Sequence, residues 1–106
     1  MKANNNQHDF FIPADQDEIA REKRKAQTLR KSQWWKNRRA CNRCYYCKKT
    51  FPAKSLTMDH LIPLVRGGKS TKGNIVPCCK ECNNHKKYLL PVEWEEYLEG
   101  LQQNIR

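Results

Sequence analysis

Apolar positions along this chain are sparse and unevenly spaced, so its elements have to be read from short patches. Residues 1–14 are polar and Asn-rich, which predicts a flexible tail. Asp15 and Glu18 have the spacing of an N-cap and capping-box pair. From 16 to 37 no Gly or Pro intervenes, and one helix is expected. Its apolar residues are few: Ile19, Ala20, Ala26, Leu29, Trp34 and Trp35. Its basic residues are dense, with Arg21, Lys23, Arg24, Lys25, Arg30, Lys31 and Lys36 leading into Arg38 and Arg39. Such a helix is either docked on the protein by a few apolar groups or an arm that tracks a polyanion. Residues 56–62 read as a strand bounded by Pro63, with Gly67-Gly68 as a turn. Residues 74–76 form a second extended piece, and 80–87 a short helix. Pro91 suits the first turn of a last helix, with Gly100 near its end. In it Trp94, Tyr97, Leu98 and Leu101 follow helical spacing and should form a buried face, with Trp94 read as core and not as a platform for a base. No internal repeat is visible.

These elements suit one small α+β domain, but hydrophobic residues make up only 38% of 106 positions. A core that small often needs a metal or disulfides. No apolar run approaches the roughly 20 residues that span a bilayer, and residues 1–18 carry no apolar leader, so a cytoplasmic protein without membrane association is expected. Thiols stay reduced in that compartment, and the six cysteines then point to metal.

The charge is +10 overall, but its distribution says more. Between Lys23 and Leu90 eighteen basic residues face two acids, Asp59 and Glu81, a net +16; the other nine acids lie towards the two ends. A segment so charged attracts a polyanion, and nucleic acid is the usual one.

Cys44-Tyr-Tyr-Cys47 and Cys79-Lys-Glu-Cys82 are two C-x-x-C pairs separated by 31 residues. Each pair can bring two thiolates to one tetrahedral Zn²⁺, and the gap leaves room for a hairpin that the ion would close into a loop. Four thiolates leave no open position, so such a zinc is structural. Cys78 offers a less usual C-x-x-x-C alternative; otherwise Cys41 and Cys78 have no assigned role.

Inside that loop lie Asp59 and His60, then Asn74 in Asn-Ile-Val-Pro, then Asn83 directly after Cys82. The string CYYC…LTMDHLIPLVRGG…GNIVPCCKECNNHKK resembles the HNH endonuclease family, in the version with two zinc-binding C-x-x-C pairs, over about residues 44–87. The resemblance implies a ββα-metal core, a β-hairpin and a helix around one catalytic metal. It implies that His60 is the general base, that Asp59 and Asn83 hold the metal, and that Asn74 fixes the loop and the orientation of His60. His85, two residues beyond Asn83, is the rival ligand. The chemistry agrees: a neutral imidazole can accept a proton near neutral pH, and a carboxylate with an amide oxygen suits Mg²⁺, Mn²⁺ or another divalent cation. Arg66, Lys86 and Lys87, with Arg38 and Arg39, are expected to grip phosphates. The expected partner is double-stranded DNA, and double-strand cutting would need a homodimer or two successive nicks. The domain plan is a tail at 1–14, a basic helical extension at 15–40 and a nuclease domain at 41–106. One tension remains: neighbours on a regular strand point to opposite faces, yet Asp59 and His60 must share one site. Two competing readings are a non-catalytic zinc-ribbon DNA-binding module, which gives no reason for Asp59, His60, Asn74 and Asn83 to occur together, and a nuclease acting on RNA, for which Trp34, Trp35, Tyr45 and Tyr46 offer stacking surfaces.

Overall fold

The structure is a computed structural model that describes residues 15–105; the tail expected at 1–14 lies outside them. Helix α1 spans Gln16–Arg30 and helix α2 spans Gln33–Arg39. The single helix expected over 16–37 is therefore two. The break is chemical: the Ser32 hydroxyl donates to the Leu29 carbonyl at 2.6 Å and accepts from the Trp35 N–H at 3.2 Å. One side chain thus closes α1 and caps α2. Asp15 caps α1 through the N–H of Asp17, at 2.8 Å, rather than in a reciprocal box with Glu18. Ile19, Glu22 and Ala26 are the buried stripe of α1, and Trp35 is the buried residue of α2.

Strands β1 (Thr57–His60) and β2 (Ile75–Cys78) pair antiparallel, in the register Thr57↔Cys78, Met58↔Pro77, Asp59↔Val76 and His60↔Ile75. Both are shorter than or displaced from the expected strands. The Leu61 N–H still reaches the Asn74 carbonyl in register at 2.9 Å, but the pairing ends there because the Asn74 N–H turns back to the Thr71 carbonyl at 2.9 Å and the Ile62 N–H goes to the Asn74 side chain. Asn74 ends a 3₁₀ turn at Lys72–Asn74 and is not in the strand. Pro77 is tolerated within β2 because its carbonyl faces away from β1, accepting from the Tyr45 N–H at 2.9 Å, so no ladder donor is missed. All four residues of β2 are buried. In the loop between the strands, Gly67 takes φ +92°, and a Cβ at Gly68 would overlap the Ile62 carbonyl.

Helix α3 (Lys80–Lys86) follows β2 directly, and α4 (Pro91–Ile105) runs past Gly100. The hairpin followed by α3 is the expected ββα arrangement in a small α+β fold. The face expected to be buried on α4 is only partly so. Trp94 is 5% exposed and packs edge-on against Tyr46, but Tyr97, Leu98 and Leu101 are 37%, 36% and 42% exposed and line an open groove with Cys47, Lys49 and His85. One buried cluster is Cys44, Leu56 and Cys79, with Tyr46, Cys47, Phe51 and Cys82 packed around it, while Trp35, Ile75, Val76 and Trp94 are buried elsewhere. No helix among the described residues is long and apolar enough to cross a membrane.

Candidate metal centre and active site

The first cysteine pair sits on a tight knuckle. Cys44 N–H donates to the Lys49 carbonyl and Lys48 N–H to the Cys44 carbonyl, each at 3.0 Å, with Lys48 at φ +66°. The Tyr46 N–H points at Cys44 Sγ, 3.3 Å away. The second pair uses a helix start: Cys79 is the N-cap of α3, and its Sγ accepts from the Cys82 N–H at 3.4 Å. The Sγ atoms of Cys44, Cys47, Cys79 and Cys82 all lie within 4.8 Å of one another, with Cys47 and Cys79 3.9 Å apart. A tetrahedral ion with bonds of about 2.3 Å sets its ligands about 3.8 Å apart, so the quartet is placed to hold one Zn²⁺. Burial opposes a thiolate at Cys44, but backbone N–H groups of Cys47, Cys79 and Tyr46 outweigh it and lower its pKa from 9.0 to about 7. Cys78 stands outside the quartet, buried with its thiol turned to the Cys79 carbonyl, and Cys41 is exposed.

Beside this centre an open cleft of about 590 Å³ is lined by Asp59 and His60 from β1, Asn83 from α3, Lys87 after it, and Ile19 and Lys23 from α1. Asp59 and His60 both line the cleft although they are neighbours in sequence, at the last two positions of β1. His85 does not join them. It faces a separate groove, where its Nδ1 lies 3.0 Å from the Tyr97 hydroxyl.

Asp59 is buried, and one of its oxygens is fully engaged. Oδ2 accepts from the Tyr46 hydroxyl at 2.6 Å and pairs with Lys86 Nζ at 3.4 Å. Its other oxygen, Oδ1, has no hydrogen-bond partner among the described residues. Burial, reinforced by this bond to Asp59, pushes the Tyr46 hydroxyl far above the usual tyrosine range, so it stays a donor. A buried carboxylate oxygen without a donor, near an amide side chain, is a donor set that fits a hard divalent cation.

Lys86 was expected at a phosphate, and its position corrects that expectation. It is wholly buried, and its ammonium meets Asp59 and the carbonyls of His60 and Leu61 at 3.2 and 3.3 Å. Three acceptors satisfy its three donors. Arg66 forks onto Glu93 at 3.2 and 3.3 Å and donates to the Tyr88 carbonyl, tying the loop after β1 to α4. Of the expected phosphate contacts, Lys87 lies at the cleft, whereas Arg38 lines a different hollow with Arg43, Tyr45 and Lys48. Arg39 is half-buried on α2.

Asn74 clamps the loop that follows His60. Its Oδ1 accepts from the Ile62 N–H at 2.9 Å, and its Nδ2 donates to the Ile62 and Lys69 carbonyls at 3.1 and 2.8 Å. His60 is half-buried, with Nε2 3.0 Å from Ser70 Oγ. Desolvation holds its pKa below the ordinary histidine value despite the opposing pull of Asp59. Ser70 and Glu22 escaped sequence reasoning, which offers Tyr46 only as a stacking surface, not as the donor to Asp59. For Glu22 a signal existed, since it is an acid on the sparse apolar stripe between Ile19 and Ala26.

A profile of the family described as HNH endonuclease matches residues 44–96. Comparison with curated proteins finds no match. The matched segment holds both cysteine pairs, Asp59, His60, Asn74 and Asn83, and leaves α1 and α2 outside.

Proposed function

The chain belongs to the HNH endonuclease family, and from that premise we propose that it is a metal-dependent endonuclease hydrolysing DNA phosphodiester bonds. The observation that carries this reading is the meeting of Asp59, His60 and Asn83 in one open cleft, with Lys87 and Lys23 at its wall. The Cys quartet holds a structural Zn²⁺. Asp59 and Asn83 would hold one Mg²⁺, Mn²⁺ or other divalent cation. Such an ion, when bound, polarises the scissile phosphate and stabilises the leaving oxygen.

The protein's own groups do the rest. His60, kept neutral by its burial, accepts the proton of the attacking water. Asn74 holds the turn on which His60 sits. Lys86 steadies Asp59 from behind without reaching solvent. Lys87 and Lys23 contact phosphates, and the +16 middle segment supplies long-range attraction for a nucleic acid. The basic extension at 15–40 and the nuclease domain at 41–106 act together, since α1 forms part of the cleft wall. A single site cuts one strand, so a double-strand break takes a homodimer or two nicks.

The test is incubation of the purified protein with plasmid DNA and duplex RNA under a panel of divalent metals. We expect Mg²⁺- or Mn²⁺-dependent conversion of supercoiled plasmid, lost in His60→Ala while zinc content and melting behaviour stay as in the wild type. Cleavage by His60→Ala at the wild-type rate would refute the reading. Tight DNA binding without cleavage under any metal would favour a non-catalytic zinc-ribbon module.

A further inference from the structure

We propose that Ser70, held by Glu22 of α1, is a positioning residue that fixes His60 in its Nε2–H form and leaves Nδ1 as the ring's proton acceptor. This rests on the reading of His60 as the base. A serine hydroxyl has one proton to give. Ser70 Oγ lies 2.6 Å from the Glu22 backbone carbonyl, which can only accept, so the proton is committed there. The same Oγ lies 3.0 Å from His60 Nε2. With its proton committed it can only accept from that ring nitrogen, so Nε2 carries the hydrogen. A neutral imidazole then has its lone pair at Nδ1.

Ser70 cannot easily turn away. Its own N–H donates to Glu22 Oε1 at 2.6 Å, and Glu22 Oε2 accepts from Lys25 Nζ at 3.2 Å. Ser70 and Glu22 are each 6% exposed, so water competes poorly for these bonds. Glu22 is 48 residues from Ser70 and lies outside the segment that the family profile matches. The helix that looks like a basic arm therefore also sets the proton position on His60, which lines the cleft.

Two measurements on the zinc-loaded full chain test this. Long-range ¹H–¹⁵N spectra of the histidine rings, above the ring pKa and assigned against His60→Ala, should show Nδ1 unprotonated and a visible Nε2–H. In Ser70→Ala that ring proton should be lost to exchange with water, and in Ser70→Thr it should persist. A proton on Nδ1, a mixture of both forms in the wild type, or an Nε2–H unmoved by Ser70→Ala overturns the proposal. In plasmid cleavage, Ser70→Ala should lower kcat by about tenfold or more with KM little changed, and Ser70→Thr should restore it. An unchanged kcat in Ser70→Ala also overturns it. If Ser70→Ala does not fold, the wild-type tautomer and Ser70→Thr still decide. A wild type with the expected tautomer and no cleavage under any metal would defeat the nuclease reading alone.

Discussion

Lys86 and Lys87 are adjacent, equally basic in a charge count, and opposite in consequence. Lys86 is buried against Asp59, while Lys87 is exposed at the cleft. Breaking a buried pair strands the remaining charge, which costs about 3–5 kcal/mol. Lys86→Met should therefore lower unfolding free energy by about that amount in denaturant melts. Lys87→Ala should leave stability unchanged, weaken DNA binding on all sequences alike, and reduce the slope of log affinity against log salt by about one. A Lys86→Met protein as stable as the wild type would contradict the buried pairing. Sequence reading singled out Asp59, His60, Asn74 and Asn83 because their order carries the family pattern, and the structure brings Asp59, His60 and Asn83 to one cleft and Asn74 to the adjoining loop. It misplaced Lys86 because a lysine's type says nothing of which way the helix turns it. It missed Ser70 because an ordinary serine becomes informative only when Glu22, far away in sequence, is seen beside it.

Among the elements, two extended pieces and a short helix were legible from Pro63, Gly67-Gly68 and the local pattern, their ββα arrangement came from the family resemblance, and the helix boundaries were not legible. The division of α1 from α2 hangs on one hydroxyl at Ser32, and serine within a basic helix is unremarkable until its bonds are known. Besides the apolar contacts of Ile19, Ala26 and Trp94, α1 and α4 are each held by one acidic residue. The Ser70 N–H holds the Glu22 carboxyl below its usual range, and the Arg66 guanidinium, with the Leu90 N–H, does the same for Glu93. A carboxylate whose folded pKa is depressed adds stability that is fully present above its unfolded value of about 4.3. That stability is lost as pH falls below this value and through the depressed folded one. We expect acid melts in which the wild type loses stability in that window, while Glu22→Gln and Glu93→Gln, which cannot titrate, show shallower losses. Equal pH slopes in all three would show that neither clamp matters to docking.

For the molecule as a whole, a buried cluster built around Cys44, Leu56 and Cys79 means that the metal ligands are also packing residues. The low apolar content of the chain anticipated a metal staple, and the structure shows why: four of the residues in and around that cluster are the quartet's thiols. Stripping zinc with a chelator should abolish the cooperative thermal transition, and restoring it should bring the transition back. The bond from Tyr46 to Asp59 adds something that a list of ligands would not contain. Tyr46 sits inside the first cysteine pair, so the knuckle that grips one ion also orients the carboxylate proposed to grip the other. Linkage makes such an arrangement reciprocal: if knuckle order favours an ion at Asp59, that ion must favour zinc by the same factor. Chelator competition for zinc should then need more chelator when Mn²⁺ saturates the cleft, and the difference should disappear in Tyr46→Phe. The two cations, which share no ligand, would answer to each other through one phenolic hydrogen.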